Sequence, residues 1–361
     1  MVADRSTAIT RNAIVIVAVI LCGAALRWLG DILTPLLLAV FLAVMIDGLA
    51  RLIRRRMPGL PKGSATATAI VLSTLLFVAC VLMIANQAGA FVQTLTNSTP
   101  KLDRLIRESA QALHIRSPGS VNNLLTKFNP AQYLGTIAAS LQGFVSGAIF
   151  VLVYVGFIIA SRHAAERKTV RLFRSRDERH EALRVFLRVR DSIEAYLWIQ
   201  TVTGAMIAVA SWVVMIAAGL SNSVFWAFLI FIVNYVPIFG AIAAIVLPAL
   251  FAVVQFGGWL QAGIILATLW LITFIVGNIL LPRMQGQSLN MDPLVVLLSL
   301  AFWGALWGLP GMFLSTPLTV LAMIILAQFE ESRWIAVLLS ADGVPEAVHA
   351  PATGHPLERS G

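Results

Sequence analysis

The sequence predicts an all-α, polytopic membrane protein with about six full transmembrane helices and two further helical segments, broken by glycine and proline, in its C-terminal half. Three observations lead there. Of the 361 residues 59% are hydrophobic and only 12% charged, with a mean hydropathy of +0.87, whereas soluble domains carry about 25% charge. The apolar residues fall in runs close to the roughly 20 residues that cross a bilayer as helix. The net charge of +9 sits in short segments between those runs, the placement that orients membrane proteins rather than the basic face of a nucleic-acid binder. No nucleic-acid partner is expected.

The first run extends from Ile14 to Leu29, behind Arg5 and Arg11. A second run, Leu33 to Leu49, follows at once, and Leu21 before Cys22 does not fit the small residue of a lipoprotein cleavage site, so an uncleaved first span is predicted. The third run is Ala65 to Ala85 and the fourth Phe144 to Ala160. Arg51, Arg54, Arg55, Arg56 and Lys62 separate the second from the third. A second basic segment, from Arg162 through Arg174 and Arg184 to Arg190, follows the fourth. Both are predicted to be cytoplasmic, with the N-terminus, while the thinly charged stretch from Gln87 to Leu141 is placed outside.

Within that outer stretch Leu102, Leu105, Ile106 and Leu113 recur at helical spacing after Thr99-Pro100, giving an amphipathic helix for the membrane surface, a neighbouring subunit or a packed cap. The stretch "DERHEALRVFLRVRDSIEAYLWIQ" reads as a helix running into the fifth span, Thr201 to Leu220, with its basic face toward anionic headgroups. The sixth span is Leu260 to Leu281, and from Ser340 the Pro-, Ala- and Gly-rich tail is expected to be disordered. The implied division is 1–86, three spans; 87–141, outer loop; 142–161, fourth span; 162–198, basic loop; 199–327, transport core; and 328–361, cytoplasmic tail.

Two runs remain, Val224 to Gly257 and Pro293 to Ala327. As straight helices each would measure roughly 50 Å against a hydrocarbon core of about 30 Å, and both are interrupted near the middle. The first carries Asn234, Pro237, Gly240 and Pro248; the second carries Gly304, Gly308, Pro310, Gly311 and Pro317. Each follows a full span, so the C-terminal half reads as a weak internal repeat of span and broken segment. Re-entrant hairpins and single crossings by discontinuous helices both satisfy the pattern. Either delivers backbone groups and helix ends to the middle of the membrane, where they can bind a solute.

The stretches "NYVPIFGAIAAIVLPAL" and "GNILLPRMQGQSLNMDPLVVLLSLAFWGALWGLPGMFLSTPLTVL" resemble the two signature regions of the autoinducer-2 exporter (AI-2E) family of bacterial membrane proteins. The resemblance is strong over the C-terminal half and covers the N-terminal half only in its pattern of spans and loops. It implies a polytopic inner-membrane transporter of about eight hydrophobic segments, with members linked to autoinducer-2 export and some to sodium/proton antiport. The first signature departs from the family's usual Pro-Tyr-Val/Ile-Gly-Pro by placing Asn234 where a proline is common.

No Asp, Glu, Lys, Arg or His occurs between Thr201 and Leu281 or between Pro293 and Ala327. Intramembrane ionisable residues mark proton and ion pathways, so their absence here points to a neutral polar solute. The substrate-path candidates are Asn234, Tyr235, Pro237 and Gly240 in the first break; Gly308, Pro310, Gly311, Ser315 and Thr316 in the second; and Asn278 and Pro282 at the end of the sixth span. Asn278 could serve a solute or a carbonyl freed by Pro282, and Asp292 before Pro293 reads as a helix N-cap. The histidines fall in loops or the tail, and no HExxH, GxSxG, paired membrane aspartates or Walker motif is present, so no enzyme, cofactor or metal is expected. Transport would be secondary or channel-like, the alternatives are a sodium/proton antiporter, which the resemblance also allows, and a non-transporting scaffold, and a homo-oligomer is expected.

Overall fold

The computed structural model describes residues 14, 17–18, 20–59, 61–97, 146–161, 175–285 and 290–343. Their regular structure is helical apart from one isolated antiparallel bridge, Met291 with Ser340. A helix over residues 20–28 leads across Leu29 into α1 (Gly30–Arg56). There follow α2 (Lys62–Asn97), α3 (Ser146–Ala160), α4 (Arg176–Ala217), α5 (Ser223–Val233), α6 (Phe239–Phe256) and α7 (Trp259–Ile275). After a π-turn, Val276–Leu280, and a helical turn, Leu281–Gln285, come α8 (Pro293–Leu326) and α9 (Arg333–Leu339). Among the described residues five helices have the length and apolar composition to cross a membrane, Gly30–Arg56, Ala182–Ala217, Phe239–Phe256, Trp259–Met284 and Pro293–Leu326, the last of them interrupted at Gly308, and the outer face of Trp259–Met284 carries exposed Leu260, Ile264 and Trp270. The all-α, multi-pass expectation stands.

Several elements differ from expectation in extent. Helix α2 runs to Asn97, past the loop start expected at Gln87, because helicity needs only the absence of breakers whereas hydropathy had set the boundary. Residues 340–342, expected to be disordered, are ordered: Asp292 and Ala341 donate their amides to the Leu339 and Asn290 carbonyls at 3.3 and 3.0 Å. The amphipathic helix expected around Leu102 lies outside the described residues, as do positions 162–174 and the tail beyond 343.

Helices α1 and α4 set one end of the bundle. Gly48 lies against Glu194, whose carboxylate pairs with Arg51, and Phe41 packs with Ile193, Tyr196 and Leu197. With Arg54, Arg55, Arg56, Arg188 and Arg190 nearby in the chain, this is the basic end.

From the far end of α4 the chain returns. The Gln255 side chain accepts from the Ser221 amide at 2.7 Å and donates to the Gly219 carbonyl at 2.9 Å, tying the end of α4, the start of α5 and the end of α6 to one level. Trp226 meets Phe251 with ring centroids 5.3 Å apart, and a Cβ on Gly240 would fall on the Val233 carbonyl oxygen. Helices α5 and α6 are therefore the antiparallel arms of a hairpin whose tip, residues 234–238, reaches back to Gln200 and Gly204 of α4.

The second broken segment does the same in the opposite sense. Gly308, at φ 65° and ψ −142°, reverses α8. A Cβ on Gly311 would meet the Trp303 carbonyl, Gly304 faces Met312, and Trp303 Nε1 donates to Thr319 Oγ1 at 3.1 Å. The base of this hairpin packs on Val185 and Val189 of α4, at the basic end. Its tip lies at the other end, where Trp307 Nε1 donates to the Leu26 carbonyl at 2.9 Å and Arg27 to the Ala305 carbonyl at 3.0 Å. The oppositely directed hairpins meet where the Tyr235 and Phe313 ring centroids lie 4.9 Å apart. Pro248 and Pro317, expected among the breakers, sit inside continuous helix and are buried; reversal is confined to 234–238 and Gly308.

Candidate functional site

The tip of the first hairpin is strained for a reason visible in its residues. Pro237 has no N–H with which to continue α5. The Phe239 amide then donates to the Pro237 carbonyl at 2.6 Å, closing a three-residue turn on Ile238 at φ 62° and ψ −57°. A β-branched residue in this region costs about 1–3 kcal/mol and persists only where its surroundings hold it.

That strained turn forms part of the wall of a cavity of about 680 Å³, a size that suits a small-molecule ligand. Helix α4 contributes Tyr196, Gln200, Thr203 and Ile207; the tip contributes Asn234, Val236, Pro237 and Ile238; the second hairpin contributes Val296 and Thr316. Thr273, Val276, Gly277 and Leu281 enter from the end of α7, while Asn290, Met291 and Asp342 line the side nearest the basic end. The α7 contribution depends on Pro282. A proline there cannot donate to the carbonyl of residue 278 and its ring crowds it, and the helix widens into the π-turn Val276–Leu280 at that point.

The polar part of the wall is built by reciprocal bonds. Gln200 Nε2 donates to the Asn234 carbonyl at 3.0 Å, and Asn234 Nδ2 donates to the Gln200 carbonyl at 3.4 Å. The Gln200 amide thus satisfies backbone freed at the tip, the Asn234 amide ties the tip to the α4 backbone, and each side-chain oxygen remains an acceptor. Gly204 makes the approach possible, since a Cβ there would stand 3.0 Å from Asn234 Nδ2. One position on, the Thr201 and Tyr235 hydroxyls share a hydrogen bond of 2.7 Å. Such a wall offers hydrogen-bond acceptors and hydroxyls in an apolar frame, with one carboxylate, Asp342, accepting from Asn290 Nδ2 at 2.6 Å.

The AI-2E family transporter profile matches residues 14–331. The chain belongs to the AI-2E transporter family. It is 32% identical to the AI-2 transport protein TqsA of Escherichia coli (strain K12), over 89% of this chain and 92% of that one. It is 28% identical to a putative transport protein of Haemophilus influenzae over 91% and 96% of the two chains. It is 27% identical to the putative transport protein YhhT of Escherichia coli (strain K12) over 88% and 90%. The family match reaches well into the N-terminal half, where the sequence resembled the family only in its pattern of spans.

In this AI-2E transporter the candidate residues part company. Asn234, Pro237 and Thr316 line the cavity, and Tyr235 stands behind them as the contact between the hairpins. Gly240 and Gly311 lie where the arms of each hairpin cross. Gly308 forms the second tip, with Pro310 in the first turn beyond it. The Ser315 hydroxyl donates to the Met312 carbonyl at 2.7 Å, and Asn278 Nδ2 to the Phe274 carbonyl at 3.1 Å, both within their own helices. Asp292 caps α8 as expected, accepting from the Leu294 amide at 2.7 Å. Sequence reasoning missed Tyr196, Gln200, Thr203, Thr273, Asn290 and Asp342 on the wall. Gln200 and Thr203 carried a signal, the polar cluster Gln200, Thr201 and Thr203 at the start of an apolar span; the other four carried none.

Proposed function

We propose that this chain is a secondary transporter that exports a small, neutral, polar solute across the bacterial inner membrane, with the autoinducer-2 signal as the first candidate. The observation that carries the proposal is the cavity at the tip of the first hairpin, where Gln200, Asn234, Thr203 and Thr316 put uncharged polar groups into a largely apolar wall. The relative TqsA, an AI-2 transport protein, supports the choice of autoinducer-2. In this proposal the basic end is cytoplasmic, as its arginines favour, and both termini lie there. The first hairpin re-enters from outside, the second from the cytoplasm, and the cavity faces inward. The subunits assemble as a homo-oligomer.

The test is efflux of autoinducer-2 from proteoliposomes holding the full chain, with and without sodium and proton gradients. Gln200→Ala and Asn234→Ala should each weaken apparent affinity by roughly three- to tenfold, the range for one neutral hydrogen bond, with the protein still folded. Sodium-driven proton movement in the absence of any organic solute would instead assign the chain to antiport.

A further inference from the structure

Arg188 lies on α4 between Val185 and Val189, which pack on the base of the second hairpin with Met323 and Ile324. This packing holds Arg188 beside the turn that follows α8. There Arg188, Ala327, Gln328, Glu330 and Arg333 surround a cavity of about 310 Å³ that shares no residue with the one at the first hairpin's tip. Two arginines from separate elements thus line one space at the basic end. On the turn and on α9 beside it, large apolar side chains are exposed: Phe329 and Trp334, next in the chain to its lining residues, are 61% and 62% exposed, and Leu338 is 67% exposed. Aromatic residues beside arginines at the end of a transmembrane bundle mark the boundary between hydrocarbon and headgroups.

We infer that this cavity holds the phosphodiester headgroup of a bilayer phospholipid. The phosphate lies between Arg188 and Arg333, whose planar forks match its oxygens, and the acyl chains run along Phe329, Trp334 and Leu338. Glu330, in the same wall, sharpens the choice. An ionised carboxylate only accepts hydrogen bonds, so it opposes a second negative charge and suits the ammonium of an ethanolamine headgroup. Free phosphate presents the same oxygens but nothing for the apolar rim. The favoured occupant is therefore a zwitterionic aminophospholipid, held at the joint between α4 and the second hairpin.

The experiment follows thermal stability of the full chain in detergent during titration with short-chain phosphatidylethanolamine, phosphatidylglycerol or inorganic phosphate. Phosphatidylethanolamine should raise the melting temperature at the lowest concentration, phosphatidylglycerol at a higher one, and inorganic phosphate should leave it unchanged. Arg188→Ala and Arg333→Ala should each shift the phosphatidylethanolamine midpoint by roughly tenfold, as for a lost bond to a charged group. Glu330→Gln should abolish the preference between the two lipids. Melting without lipid reports whether each variant folds. Arg188→Lys and Arg333→Lys, which keep the charge but lose the fork, should weaken binding less and serve where an alanine variant does not fold. An equal rise with inorganic phosphate would overturn the lipid assignment. So would a phosphatidylethanolamine midpoint that no arginine substitution moves, and equal wild-type midpoints for the two lipids would overturn the aminophospholipid.

Discussion

Gly240→Ala tests the hairpin geometry with the smallest possible change. The added methyl would fall on the Val233 carbonyl oxygen and close to the Asn234 Cα, atoms of the opposite arm that no rotamer change can move aside. The arms must separate, which loosens the packing of Ala244, Phe251 and Ala252 in the core that α5 and α6 share. Overpacking of a tight site costs typically 1–3 kcal/mol and occasionally more; a backbone clash belongs at the upper end, so about 3 kcal/mol is expected. Gly311→Ala meets the Trp303 carbonyl in the same way and should behave alike. Gly263→Ala is the matched control, because nothing stands within 4 Å of its would-be Cβ in mid-helix, and alanine there should stabilise by up to about 1 kcal/mol. Melting in detergent should therefore fall by on the order of 5 °C for the two hairpin variants and hold or rise for the control, with autoinducer-2 efflux measured beside it. A Gly240→Ala protein that melts with the wild type would refute the close crossing of the arms, and with it the reversal of the chain at residues 234–238.

Three further outcomes follow from the same geometry. With Arg283→Cys in a cysteine-free background, an impermeant thiol reagent should fail to label whole cells and should label inside-out vesicles; labelling of whole cells would remove the paired-hairpin topology. Gly204→Ala presses on the Asn234 amide and should weaken solute affinity while costing less stability than Gly240→Ala, because the nearest contact is a side chain that can shift; an affinity equal to wild type would separate that amide from the site. Asp292→Ala removes the cap on the Leu294 amide and should cost about 1 kcal/mol, read as a small fall in melting temperature with solute affinity unchanged.

How much of this was legible in the sequence depends on how far each feature reaches along the chain. The apolar spans, the basic segments, the Asp292-Pro293 helix start and the places where the chain breaks are local properties: transfer free energy summed over a window, a missing N–H, a side chain reaching its neighbour's amide. Those the sequence determined by itself. It could not rank the breakers, because Pro248 and Pro317 are tolerated within helix while Ile238, a residue with no turn propensity of its own, takes the positive φ. Only the tertiary structure decided that Gln200 and Asn234 exchange hydrogen bonds, that Asp342 and Thr316 share a wall with Pro237, and that the two hairpins point in opposite directions. These are contacts between residues far apart in the chain, set by which helices pack together, and hydropathy and backbone propensity are the same for any partner the helix could meet.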